Sequence, residues 1–81
     1  MEIKVLGSGC ANCKHLLQMV QFAVKELNVQ ANVLYITDMM AISMSGLLRT
    51  PGLIINQKIV SYGRVPSLEE IKAFIRKAQN E

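Results

Sequence analysis

Two cysteines separated by two residues, Cys10 and Cys13, are the side chains in this 81-residue sequence best suited to chemistry. In the first turn of a helix, residues i and i+3 share one face, at a separation that a disulfide spans with little strain. The free N–H groups of that turn and the helix dipole stabilise a thiolate at the cap position. The pair therefore favours thiol–disulfide exchange, with a metal site or two inert buried thiols as alternatives.

The two thiols are expected to have different roles. Cys10 follows a glycine-rich loop and takes the cap position, where the N–H groups of Asn12 and Cys13 point toward its sulfur and where Lys14 and His15 add positive charge. Cys13 begins the apolar stripe of the helix, so it should point inward and attack a mixed disulfide formed at Cys10. We therefore assign Cys10 as the attacking thiolate, Cys13 as the resolving thiol and Lys14 as an activating charge.

A metal site is less well supported by the composition. Zinc usually takes four protein ligands, and this chain has two cysteines and one histidine. His15 is two residues past Cys13, so on a helix it points about 200° away around the axis, and we interpret it as a solvated residue. No metal ligand set is predicted within one chain. A cysteine-based metal carrier or sensor, which would need a second chain or a carrier protein, and a low-turnover interaction module are the alternative functions.

Length and composition exclude several other classes. The 81 residues allow one domain, residues 1–81, and the 51% hydrophobic and 19% charged residues are typical of a packed globule. The net charge of +3 is not concentrated in Lys/Arg clusters interleaved with aromatic residues, so nucleic acid is not an expected partner. Uncharged stretches such as Met39–Leu48, ten residues long, fall short of the roughly twenty that a membrane span needs. Met1–Leu6 alternates as a strand would and lacks the pattern of a signal peptide, so we expect a cytoplasmic protein.

Hydrophobic periodicity divides the chain into seven elements. Alternating or β-branched apolar runs predict strands, and apolar residues spaced three and four apart predict helices. A parallel β-α-β start joined to an antiparallel hairpin predicts an α/β fold, β-α-β-α-β-β-α, with a four-stranded mixed sheet flanked by helices. The predicted elements are strand Glu2–Leu6, helix Cys13–Leu27, strand Ala31–Ile36, helix Met39–Ser45 capped by Thr37 or Asp38, strands Gly52–Ile55 and Lys58–Tyr62, and a last helix that follows a capping box of Ser67 and Glu70.

Three segments carry a family resemblance that spans almost the whole chain. GSGCANCK near the start, TPGLIIN before the hairpin and GRVPSLEEI at the last helix resemble the small redox-active disulfide proteins of the thioredoxin superfamily, compact thioredoxins often described as glutaredoxin-like. From spacing alone, Thr50-Pro51 indicates only a strand boundary. The resemblance implies a thioredoxin-like fold in which Pro51 is cis and lies against the disulfide. It also implies that the backbone of Thr50 pairs with an extended substrate segment, beside Ala11 and Asn12.

The resemblance further implies electron transport by disulfide exchange with protein substrates and an electron donor that the sequence does not name. The only cofactor-like group is then the Cys10–Cys13 disulfide itself. A Gly-Gly-Asp type stretch, usual in glutaredoxins that bind glutathione, is absent after the hairpin, and none of the six acidic residues matches the buried carboxylate that assists the resolving thiol of thioredoxins. The main rival fold, a ferredoxin-like heavy-metal domain, ends in a strand, whereas this chain ends in a capped helix.

The second predicted helix carries more apolar residues than one sheet face can cover. Helical spacing directs Ile42 and Met39 inward, which leaves Met40 and Met44 on or near the surface. Methionine adapts readily to different partners, so we expect Met40 and Met44 to form a partner surface on a monomer or weak homodimer. The alternative is a short helix buried nearly all round in a small domain.

Overall fold

The computed structural model describes residues 1–81 and contains four strands and three helices. Every element forms where the periodicity predicts it, and the two hairpin strands have the predicted bounds. The elements are β1 (Glu2–Leu6), α1 (Ala11–Leu27), β2 (Asn32–Ile36), α2 (Met39–Met44), β3 (Gly52–Ile55), β4 (Lys58–Tyr62) and α3 (Leu68–Gln79).

The four strands form one mixed sheet in the order β2-β1-β3-β4. β1 pairs with β2 in parallel, and the β1–β3 and β3–β4 pairs are antiparallel. Leu6 at the end of β1 lies opposite Gly52 at the start of β3. The loop that leaves β1 and the loop that enters β3 therefore meet at one edge of the sheet. The predicted α/β fold with a four-stranded mixed sheet is confirmed.

The larger core lies between the sheet and the pair α1 and α3. Alternate residues of the two central strands point to this face, where the apolar stripes of both helices cover them completely. The burial of these side chains fixes α1, and with it the cysteine pair, against β1. The fully buried or nearly buried members are Ile3, Val5, Leu16, Val20, Ala23, Leu53, Ile55, Ile71 and Ile75.

The opposite face of the sheet has a thinner cover. α2 has six residues, and its Ile42 packs with Leu6 and Ile54 in a small second cluster that Ile36 and Leu47 flank. Met39 was expected to point inward, and this prediction was wrong, because its side chain is 67% exposed. α2 starts three residues after the end of β2, so its first turn lies beyond the strand and only the turn of Ile42 reaches the sheet.

Local signals in the sequence set the ends of the elements. Asp38, and not Thr37, caps α2 and accepts a hydrogen bond from the N–H of Met40 at 3.2 Å. Asn56 and Gln57 both adopt positive φ, 49° and 70°, as a two-residue hairpin turn requires. The capping box of Ser67 and Glu70 is formed. No helix is long and apolar enough to cross a membrane.

Candidate redox site

The cysteine pair lies where β1 gives way to α1. Gly9 adopts φ +89°, which an L-residue rarely accepts, and this turn of the backbone brings Cys10 to the N-cap of α1. Cys10 is exposed, whereas Cys13, one turn into the helix, is 0% exposed. The Cα atoms of Cys10 and Cys13 are 5.0 Å apart, and a disulfide joins the two sulfurs. One sulfur of the pair is therefore open to a second molecule and the other is enclosed.

Cys10 acts as the cap of the helix in the manner of a serine. Its Sγ accepts a hydrogen bond from the backbone N–H of Cys13 at 3.1 Å, and its carbonyl oxygen accepts one from the N–H of Lys14 at 3.0 Å. The sequence predicted that the N–H groups of both Asn12 and Cys13 donate to this sulfur. Only Cys13, the third residue of α1, does so, and the prediction for Asn12 was wrong. Once the disulfide is reduced, this donor and the helix dipole favour the thiolate form of Cys10.

Gly7 is a part of the site that the sequence interpretation missed. It is buried, and its N–H donates to the carbonyl oxygen of Ile36 at 3.0 Å. A Cβ atom at Gly7 would lie 2.8 Å from the Cβ of Cys13 and would overlap its Sγ. Cys13 therefore rests directly on the backbone of Gly7, and any larger residue would displace it.

Thr50 and Pro51 lie at the same edge of the sheet, immediately before β3. The peptide bond between them is cis, Pro51 is buried, and Thr50 is exposed. The carbonyl oxygen of Pro51 accepts a hydrogen bond from the N–H of Gly63 at 3.0 Å, whereas the backbone N–H and C=O of Thr50 have no hydrogen-bond partner within the chain. An exposed, unpaired backbone segment thus lies at the edge of the sheet that carries the cysteines. Contact of Pro51 with the two sulfurs stays a prediction.

Two exposed cations, Lys14 and Arg49, belong to the segments that meet at this edge. Lys14 and His15 are exposed on the first turns of α1, next to exposed Ala11 and Asn12, and the helix has no acidic residue in its first turn. Arg49, which the sequence interpretation did not select, is exposed next to Thr50. The edge therefore favours negative charge, including a thiolate.

Arg64, by contrast, is neutralised locally. Its guanidinium donates to both carboxylate oxygens of Glu70, at 3.2 and 2.7 Å. The hydrogen bonds from this guanidinium and from the N–H of Ser67 lower the pKa of Glu70 to about 2. Both partners are exposed, so the pair orders the start of α3 and adds little net charge to the site.

No carboxylate is buried in the core beside Cys13. Ser61 is the one buried polar side chain, and all six acidic residues are outside the core. The expectation that Cys13 has no buried acidic partner agrees with this arrangement. No group of three or more His, Cys, Asp or Glu side chains is arranged to hold a metal ion.

The side chains of Met40 and Met44 are 69% and 80% exposed. They belong to a set of exposed apolar residues on the α2 side of the sheet, and Met44, but not Met40, lines an open groove of about 350 Å³ between α2 and the strands. The expected surface position of both methionines agrees with this placement; their role in binding a partner stays a prediction. The other exposed apolar residues of this side are Leu34, Met39, Leu48, Ile59 and Tyr62.

Comparisons with known proteins agree with the geometry. A family model described as a thioredoxin domain matches residues 1–76. The chain is 41% identical over 75 residues to a thioredoxin of Methanothermobacter thermautotrophicus, an alignment that covers 93% of this chain and 97% of that protein. It is 37% identical over 70 residues to a thioredoxin of Methanocaldococcus jannaschii, covering 86% of this chain and 80% of that protein.

A solved structure shows the same fold at low sequence identity. Thioredoxin 1 from Thermosipho africanus superposes on this chain with a TM-score of 0.66 at 19% identity, over 99% of this chain and 96% of that one. Together with the family match and the Cys10–Cys13 disulfide, this fold leads to one conclusion. The chain belongs to the thioredoxin family of thiol–disulfide oxidoreductases.

Proposed function

We propose that Cys10 attacks protein disulfides as a thiolate and that Cys13 resolves the mixed disulfide. The observation that carries this assignment is the difference in exposure between the two sulfurs, since Cys10 is exposed and Cys13 is fully buried. A second molecule reaches Cys10 alone. The hydrogen bond from the N–H of Cys13 to the Sγ of Cys10 supports the same order, because it favours the thiolate on the exposed sulfur.

The exchange has two steps. The Cys10 thiolate attacks one sulfur of the substrate disulfide, a Cys10–substrate bond forms, and the substrate S–S bond breaks with its electron pair on the second sulfur, which takes up a proton. Cys13 then loses its proton and attacks the Sγ of Cys10, which re-forms the Cys10–Cys13 disulfide and releases the first substrate sulfur as a thiolate. Two electrons pass to the substrate, and a dithiol electron donor restores the reduced protein by the reverse steps.

Thr50 supplies the place where a substrate segment lies. Its unpaired backbone N–H and C=O can add an extended segment as a short β-ladder, with Pro51 next to Thr50 in the chain and the exposed residues Ala11 and Asn12 directly after Cys10. Backbone pairing of this kind accepts many sequences. Such pairing suits an enzyme that acts on protein disulfides. At Cys10, the positive charge of Lys14 favours the attacking thiolate.

Met40 and Met44 extend the contact beyond the disulfide. Both methionines are exposed on the helix that leads, through Leu48, to Thr50. A protein substrate whose segment pairs with Thr50 also covers this apolar surface, which a small disulfide does not reach.

We place the reaction in the cytoplasm, where thiols are kept reduced. The protein acts as a monomer or weak homodimer, and it needs no cofactor beyond the Cys10–Cys13 disulfide.

The order of attack is tested with two single-cysteine variants and a peptide that contains one disulfide. Cys13→Ser is expected to accumulate a mixed disulfide with the peptide at Cys10, because the resolving step is removed, and Cys10→Ser is expected to accumulate little. The adducts are measured by mass spectrometry under non-reducing conditions. If Cys10→Ser forms the adduct at the same rate as Cys13→Ser, the assignment of the two thiols is wrong.

A further inference from the structure

Arg49 is a cation without a partner, directly before Thr50 in the chain. The four ion pairs of the protein use other cations, and the guanidinium of Arg49 makes no hydrogen bond. Its stem lies close to Gly63, since a Cβ at Gly63 would lie 3.3 Å from both the Cβ and the Cδ of Arg49. Gly63 in turn donates to the carbonyl oxygen of Pro51 at 3.0 Å. Arg49 therefore lies along the loop that flanks Thr50 and Pro51, with its charge free.

Lys14 provides a second free cation, directly after Cys13 in α1. Its backbone N–H bonds to the carbonyl oxygen of Cys10, and its ammonium group makes no ion pair. Glu70 is paired with the guanidinium of Arg64, and the first turn of α1 contains no acidic residue. A substrate segment that pairs with Thr50 and reacts at Cys10 therefore approaches two residues with free positive charge, Arg49 directly before Thr50 in the chain and Lys14 one turn beyond Cys10.

We infer that the preferred substrates of this protein are protein disulfides with acidic residues next to the attacked cysteine. The inference rests on the proposed function, because pairing with Thr50 is what brings the neighbours of that cysteine to Arg49 and Lys14. Arginine suits this role, since its planar guanidinium binds a carboxylate through two parallel hydrogen bonds. An exposed pair of this kind is worth about a two- to fivefold gain in rate or affinity, and its contribution falls as salt screens the charges.

A protein segment fits the site better than a small anionic disulfide. Both would bring carboxylates to Arg49, but only an extended segment also uses the two open backbone groups of Thr50. The free cations then select among protein disulfides that bind through the same backbone contacts. Charge complementarity of this type acts mainly on specificity and on the rate of encounter.

The test compares three peptides with one internal disulfide each, identical except that the neighbours of one cysteine are Glu, Gln or Lys. The rate at which the reduced protein reacts with each peptide is divided by the rate of a neutral small thiol with the same peptide, which removes the effect of the charges on the peptide's own reactivity. The expected order is Glu, Gln, Lys, with about a tenfold difference between the first and the last at low salt that shrinks above about 0.5 M salt.

Charge reversal assigns this preference to Arg49. Arg49→Glu should abolish or invert the order of the peptides. Arg76→Glu, the same change of charge on the exposed surface near the end of α3, should leave the order unchanged. Because each variant is judged by the ratio of two peptides, any effect of the substitution on the reactivity of Cys10 cancels.

The outcomes separate this inference from the proposed function. Equal normalised rates for the three peptides, with adducts still formed at Cys10, overturn the acidic preference and leave the exchange mechanism intact. Failure of all three peptides to react at Cys10 overturns the mechanism itself. Glutathione disulfide serves as a small anionic disulfide, and an Arg49-dependent preference for it without a preference for the Glu peptide overturns the assignment to protein segments.

Discussion

Replacement of Gly7 by alanine tests how closely the buried sulfur is packed. The new Cβ would lie 2.8 Å from the Cβ of Cys13 and would overlap its Sγ, so the first turn of α1 has to move away from β1. In the oxidised protein the side chain of Cys13 is held by its bond to Cys10, and reduction removes this constraint on its rotation. The overlap with Sγ is therefore relieved on reduction, and the overlap with Cβ remains in both forms.

The magnitude follows from the cost of overpacking. Inserting a methyl group into a packed site destabilises a protein by about 1–3 kcal/mol. If about 1 kcal/mol of this cost belongs to the contact with Sγ, the equilibrium between disulfide and dithiol shifts about fivefold toward the dithiol. The reduction potential then rises by roughly 20 mV.

The assay is the equilibrium of the protein with mixtures of reduced and oxidised glutathione, together with thermal unfolding of both redox forms. Gly46→Ala is the matched control, because Gly46 has φ +90° and an added Cβ there would meet only the Cδ1 of Ile59, at 3.8 Å. It should cost about 1–2 kcal/mol through backbone strain in both forms and leave the redox equilibrium unchanged. Equal destabilisation of both forms by Gly7→Ala, with an unchanged equilibrium, would refute the packing argument.

Three further predictions concern the surface, the helix cap and the thiolate. Met40→Lys should change the free energy of unfolding by under about 0.5 kcal/mol, and it should slow exchange with protein disulfides but not with small ones. The control is Ile42→Lys in the same helix, which should cost at least about 2 kcal/mol because Ile42 is buried. If thermal unfolding shows the same loss of stability for both variants, Met40 belongs to the core. The pKa of Glu70 is lowered to about 2, so its contribution to stability is present above about pH 4.5 and is lost as the pH falls through 2. Glu70→Gln should therefore lower the melting temperature at pH 7 and have little effect near pH 2, and a difference that does not depend on pH would contradict this. Lys14→Gln should slow alkylation of Cys10 at pH 7 by about two- to threefold. Lys25→Gln, which removes the same charge from the far end of α1, should leave the alkylation rate unchanged. If both variants slow alkylation equally, the rate depends on the net charge of the protein and not on the position of Lys14.

The parts of the fold that the sequence predicts correctly depend on local interactions. The hairpin has its predicted bounds because two apolar runs are separated by just Asn56 and Gln57, and α3 starts at its predicted cap because Ser67 and Glu70 satisfy each other's backbone. The position of the cysteine pair at a helix start is local in the same sense. It needed only a glycine-rich loop and an apolar stripe that begins at Cys13.

The parts that the sequence leaves open depend on contacts between distant segments. The fit of Gly7 under Cys13 requires α1 to be docked on β1, and the position of Arg49 along Gly63 requires the hairpin to be paired. The wrong prediction for Met39 has the same cause, because its exposure depends on how α2 packs on the sheet. Helical spacing defines the faces of α2 but not which turn of a six-residue helix reaches the sheet.

The central claim is that Cys10 alone presents a reactive thiolate, and the most direct measurement is the rate at which each cysteine of the fully reduced protein is alkylated as a function of pH. The account predicts rapid labelling of Cys10 at pH 7, with an apparent pKa below the usual value near 8.5, and labelling of Cys13 only on unfolding. The two sites are resolved by mass spectrometry of the digested protein. Equal rates at both cysteines, or faster labelling of Cys13, would contradict the account.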